Sequence, residues 1–311
     1  MPMKNENHSG IAFALGAYLL WGLLPLYWKL LEYVPADVVL AHRIIWSLVL
    51  MITILFCLRK ITIFKQELLS IIKKPKLLIG MIVASVVISG NWFTYIWAVN
   101  NEFVIDTSLG YYMNPLVSVF LGIFFLKEKL STWQMIALVL AFIGVLNMTF
   151  NIGHFPWVAL VLAFSFAIYG LLKKIVQVGS LTGLTIETLL ITPFALLYLQ
   201  FFVERGVAFA GGSIGMILLL MGAGVATAVP LLLFASAAKR IPLYLIGFLQ
   251  YLAPTIGLFL GVFIFNEPFT KVHLLSFMLI WSALVLFSLA KTKSFLYIES
   301  KYFKKHKSFG A

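Results

Sequence analysis

Apolar residues in this chain come in long unbroken runs, and polar residues gather in the short stretches between them. Ten runs are long enough to cross a bilayer: Gly10–Leu31, Val38–Leu58, Leu77–Val99, Thr107–Leu126, Thr132–Phe150, Pro156–Leu172, Leu184–Val203, Ser213–Phe234, Leu243–Phe265 and Val272–Ala290. About 20 apolar residues span roughly 30 Å of hydrocarbon as a helix, so the pattern predicts ten transmembrane helices. Lipid leaves no other choice, since backbone polar groups there must bond within their own helix. The least certain ends are those of the fourth and seventh runs, where Asp106 and Glu187 fall at or near a boundary.

One segment occurs twice. Tyr112-Met113-Asn114-Pro115 and the residues up to Glu128 align without a gap on Tyr251-Leu252-Ala253-Pro254 up to Glu267, at a constant offset of 139. Tyr, Pro, Phe, Leu, Gly and Glu recur in place. Duplicated hydrophobic segments interrupted at matching points are the mark of transporters built from repeated halves. Five spans per half require the second copy to be inserted upside down. The expected units are residues 1–150 and 151–290, each a five-helix repeat, followed by a basic tail over 291–311.

Charge gives the direction. Hydrophobic residues make up 62% of the chain and charged residues 11%, with a mean hydropathy of +1.03. A net charge of +12 would suit nucleic acid, but the basic residues sit in short loops, as membrane-flanking charge does. With the N-terminus inside, 19 Lys and Arg fall on inner segments and only Lys29, Arg205 and Lys271 on outer ones. Both termini are therefore expected in the cytoplasm. The repeat agrees: Lys127-Glu128-Lys129 would face inward, and its counterpart Asn266-Glu267-Pro268 keeps the glutamate but neither lysine. The first run continues through bulky Leu, Trp and Tyr, which predicts a retained span and not a cleaved signal. Cys57 is the one cysteine, so no internal disulfide can form and a thiolate metal site is not expected.

At these residues the chain resembles a known family. The paired Pro…Gly…Glu segments of spans four and nine look like the EamA-type fold of the drug/metabolite transporter superfamily. Tyr18-Leu19-Leu20-Trp21-Gly22-Leu23-Leu24-Pro25-Leu26-Tyr27-Trp28-Lys29 and Ala41-His42-Arg43-Ile44-Ile45-Trp46-Ser47 are similar to its RarD subgroup. The resemblance implies an all-α polytopic protein of the cell membrane, ten helices as two inverted five-helix repeats, and a central binding cavity. It implies no particular solute.

Candidate residues follow from polarity at membrane depth. Arg43 lies about 9 Å inside the outer end of span two at 1.5 Å per residue. A charge there faces a cavity or a partner, because lipid exposure costs several kcal/mol. It could anchor an anionic solute, with His42 beside it as a proton acceptor, or it could tie the helix to backbone carbonyls near the outer end. Trp46, three residues on, could form a cation–π wall with Arg43 or simply pack. Asn91 and Tyr95 in span three, Tyr111 and Asn114 in span four, and Gln250 in span nine complete a polar-aromatic belt for substrate binding. Glu187 is the one carboxylate clearly inside an apolar run and the best candidate for ion coupling, although a hydrated carboxylate near the interface is the commoner case. Pro115 and Pro254 predict bends. Gly122, Gly257 and Gly261 predict close packing of spans four and nine. Glu128 and Glu267 are expected to cap or anchor the turns into spans five and ten.

No catalytic, metal-binding or phosphate-binding motif is present, and no cofactor is expected. The five histidines, His8, His42, His154, His273 and His306, are too scattered for a membrane enzyme's site. A channel would more often use rings of like side chains from several short chains. A secondary carrier for a small metabolite or drug-like solute fits best. The basic, aromatic tail suits anionic lipid at the inner face; a homodimer is left open.

Overall fold

The computed structural model describes residues 2–101, 103–151, 153–204, 213–266 and 269–303. Arg205, Glu267 and the last lysines of the tail lie outside them. Among the described residues ten helical spans are long and apolar enough to cross a membrane. In chain order these are α1 (Pro2–Lys29), α2 (Ala36–Cys57), α4 (Pro75–Asn100), α5 (Val104–Leu126), α6 (Thr132–Phe150), α7 (Trp157–Ile175), α8 (Ser180–Phe201), α9 (Ile214–Ala238), the pair α10 (Leu243–Gln250) and α11 (Leu252–Phe263), and α12 (Lys271–Leu289). An even number of crossings puts both termini on one side, called the terminal face below. The short α3 (Ile61–Lys73) lies there between α2 and α4, and α13 (Lys293–Ile298) follows α12.

Helix contacts obey the twofold exchange that inverted halves require. Swapping each span with the one five places along maps the α5–α7 contact onto α1–α11, α1–α9 onto α4–α7, and α2–α9 onto α4–α8. The pairs α2–α8, α5–α10 and α6–α12 map onto themselves. Local structure repeats at the same 139-residue offset. Lys127, the C-cap of α5, and Asn266, three residues beyond α11, both lie in the left-handed region, with φ of 54° and 56°. Ser131 with Gln134 and Thr270 with His273 both form capping boxes, opening α6 and α12.

Small residues set the closest approaches. Ala137, Ala141 and Gly144 of α6 face Ser276, Ile280 and Ala283 of α12, and Asn147 Nδ2 donates to Ser276 Oγ at 2.9 Å across that seam. Aliphatic and phenyl side chains such as Leu19, Phe56, Phe93, Phe142, Phe164 and Phe194 remain exposed on the outside of the bundle. In a multi-pass membrane protein that surface meets lipid.

Two expectations need correction. Spans four and nine do pack together, through Gly122 of span four as expected, where a Cβ would lie 3.2 Å from the Tyr244 nitrogen, but through Gly247 on span nine. A Cβ on Gly247 would lie 2.7 Å from the Pro115 carbonyl oxygen, and one on Gly122 2.5 Å from Glu128 Oε2, whereas Gly257 has nothing within 4 Å. Span nine breaks at Tyr251, just ahead of Pro254, so α10 carries most of the contact with α5 and α11, bearing Gly257 and Gly261, packs mainly on α1. Glu128 caps the start of span nine and not span five: its Oε1 and Oε2 accept from the Leu243 and Tyr244 N–H groups at 2.7 and 2.8 Å. A carboxylate there satisfies two orphan donors and meets the positive end of the helix dipole.

Candidate functional site

A polar cavity sits between the two halves. Arg43 is on α2, about two turns from the end of that helix remote from the terminal face. Its Nε donates to Thr227 Oγ1 on α9 at 2.8 Å. Thr227 in turn donates to the Ala223 carbonyl of its own helix at 2.8 Å, so its lone pair is aimed at the guanidinium. Trp28 of α1 and Trp92 of α4 lie under the guanidinium carbon, with ring centroids 4.7 and 6.0 Å away. Tyr95 and Tyr111 are within electrostatic reach of it, and their rings are 6.1 Å apart.

Accessibility shows that this is a cavity and not core. Tyr111 keeps 51% of its surface open, and Arg43 and Tyr95 are half-buried although they lie deep along their helices. The three side chains therefore line accessible space between the helices. Pro115, inside α5, leaves the Tyr111 carbonyl four residues earlier without its helical N–H partner. Among the described residues α4 and α9, which bear Trp92, Tyr95 and Thr227, do not pack along each other. They stand on opposite sides of the space.

Towards the terminal face an aromatic layer closes the cavity. Trp21 and Tyr18 of α1, Phe166 and Tyr169 of α7 and Phe234 of α9 stack with centroid distances of 5.2–6.4 Å. Phe234 is seven residues beyond Thr227, about 10 Å along the helix. Below it, Lys173 Nζ donates to Glu187 Oε1 at 2.6 Å, and the Tyr169 hydroxyl donates to Glu187 Oε2 at 3.0 Å. Both ions are buried, Glu187 2% and Lys173 5% exposed. Lys239, at the end of α9, stands beside them. Burial and the neighbouring Lys173 push its ammonium down to about 8, against the opposing pull of Glu67 and Glu187.

The other candidates sort by place. Asn91 is spent on structure: its Nδ2 donates to the Leu162 carbonyl and Ser165 Oγ of α7 at 3.0 and 2.8 Å. Asn114 Oδ1 accepts from Ser118 within α5. His42 is buried on α2. Trp46 meets Gly224 of α9 backbone to backbone, and it is Trp28 and Trp92 whose faces the Arg43 guanidinium takes. Gln250 is buried at the α10–α11 break, and its Oε1 has no hydrogen-bond partner. The Lys173–Glu187 pair was missed because Lys173 reads as an ordinary flanking charge; the spacing of Tyr169 and Lys173 on one face of α7 was its one visible sign. Trp28 was missed because an aromatic near a span end reads as an interface anchor.

Ten spans in inverted halves, with polar and aromatic side chains lining space between them, define a multi-pass membrane protein of transporter architecture. The chain belongs to the EamA-like transporter family, whose model matches it twice, over residues 8–150 and 156–289, and it is of the RarD type. It is 52% identical over 290 residues to an uncharacterized transporter, YojE, of Bacillus subtilis (strain 168), covering 93% of this chain and 96% of that one. It is 41% identical over 283 residues to Protein RarD of Salmonella typhi, covering 91% and 95%. A solved structure at 17% identity superposes with a TM-score of 0.70 over 91% of this chain and 97% of its own, which shows the fold.

Proposed function

We propose that the protein is a secondary carrier that moves a small metabolite or drug-like solute across the cell membrane by alternating access, with the cavity around Arg43 as its binding site and both termini in the cytoplasm. The observation that carries this is the cavity's construction. Arg43, Trp28, Trp92, Tyr95 and Tyr111 come from the first half and Thr227 from the second. A site shared by inverted halves opens to one side or the other as the halves rock. The aromatic layer and the Lys173–Glu187 pair close it towards the terminal face, and the charge asymmetry of the loops assigns that face to the cytoplasm.

Cysteine accessibility tests the reading. In a Cys57→Ser background, a Tyr111→Cys variant in oriented vesicles should react with a membrane-impermeant thiol reagent added to either side, at different rates. Reaction from one side alone under every condition would describe a dead-end cavity and contradict a carrier.

A further inference from the structure

We infer that the solute carries a single negative charge, a carboxylate, and that Arg43 receives it; this rests on the cavity being the binding site. A guanidinium has five N–H donors and no acceptor. One of the five, on Nε, is held by Thr227. The ring centroids of Trp28 and Trp92 lie 4.7 and 6.0 Å from the guanidinium carbon. Among the described residues neither Nη nitrogen has a hydrogen-bond partner, and the ion pairs are Lys29–Glu32, His154–Asp106 and Lys173–Glu187, none of which includes Arg43. The protein thus anchors the guanidinium through Nε and the two indole rings and leaves its four Nη donors unclaimed.

That edge matches a carboxylate. Two parallel N–H···O bonds from a guanidinium fit the two oxygens of one carboxylate, and the match is stronger than any neutral contact. Charge balance sets the valence. Among the described residues the buried cation Lys173 is already neutralised by Glu187, on the far side of the aromatic layer. A monoanion would therefore leave the cavity neutral, whereas a phosphate dianion would leave one uncompensated charge in a low-dielectric site. The rest of the solute meets the half-open Tyr111 ring and the edges of Tyr95, Trp28 and Trp92, so an apolar, preferably aromatic, body is favoured.

The test is calorimetric titration of the purified full-length protein in detergent with three compounds of one shape: benzoate, benzamide and phenyl phosphate. The same titrations are run on Arg43→Lys and Arg43→Gln, each checked for a cooperative melt. Benzoate should bind at least about tenfold more tightly than benzamide or phenyl phosphate. Arg43→Gln should erase the preference for benzoate over benzamide, and Arg43→Lys should keep part of it, since the charge remains and the fork is lost. Equal binding of benzoate and benzamide by wild type, including no binding of either, overturns the proposal. So does a preference for phenyl phosphate, or a benzoate preference that survives in Arg43→Gln. Because no flux is measured, a failure here leaves the two-sided reactivity of Tyr111→Cys standing, and a failure there leaves this binding standing.

Discussion

Two charges inside the bundle behave in opposite ways. Arg43 faces open space with most of its donors unclaimed, whereas Glu187 is enclosed and saturated by Lys173 and Tyr169. The sequence marked both as unusual because each interrupts an apolar run. It could not say which was paired, since Lys173 lies 14 residues from Glu187 across a turn and packing alone brings them together. The pair makes a sharp prediction. Removing one partner of a buried ion pair leaves an uncompensated charge and costs about 3–5 kcal/mol, while replacing both with apolar or neutral groups costs far less. Glu187→Gln should lower the thermal midpoint in detergent markedly, and Glu187→Gln with Lys173→Met should recover most of the loss. A single variant that melts like wild type would show that the pair contributes nothing.

At the scale of helices, the repeat made most of the fold legible. An offset of 139 residues foretold the inverted halves, and the left-handed residues Lys127 and Asn266 and the capping boxes at Ser131 and Thr270 follow it position by position. Two elements were not read. The helix α3 has Ile61, Phe64, Leu68 and Ile71 along one face, but it is too short and too charged to stand out beside ten spans. The break at Tyr251 was expected only as a bend, because Pro254 and its counterpart Pro115 read alike in the sequence; in the structure Pro115 sits inside an unbroken α5. That break decides which glycines matter. Gly247→Leu should drive a side chain into the Pro115 carbonyl and reduce both accumulation in the membrane and thermal midpoint, while Gly257→Leu, with open space before it, should be tolerated. Equal effects on a quantified membrane blot and melt would move the α5 contact from α10 to α11.

For the molecule as a whole, the candidate site was half legible. Arg43, Tyr95 and Tyr111 were readable from polarity at depth, and the structure places them together. Asn91 and Asn114 have the same polarity but use it within and between helices. Thr227 and Trp28 gave no sign, because a threonine in an apolar helix and a tryptophan near its end are ordinary residues until the fold sets them against the guanidinium. The central claim is that the halves rock about this cavity. Spin labels on α4 and α9, which flank it without packing together, report the motion directly: one pair at Lys76 and Arg240 on the terminal face, the other at Asn101 and Ile214 on the opposite face. Pulsed distance measurements in lipid should give two populations for each pair, and any condition that lengthens one pair should shorten the other. A single unchanged distance at both ends, with and without benzoate and across pH, would contradict the carrier.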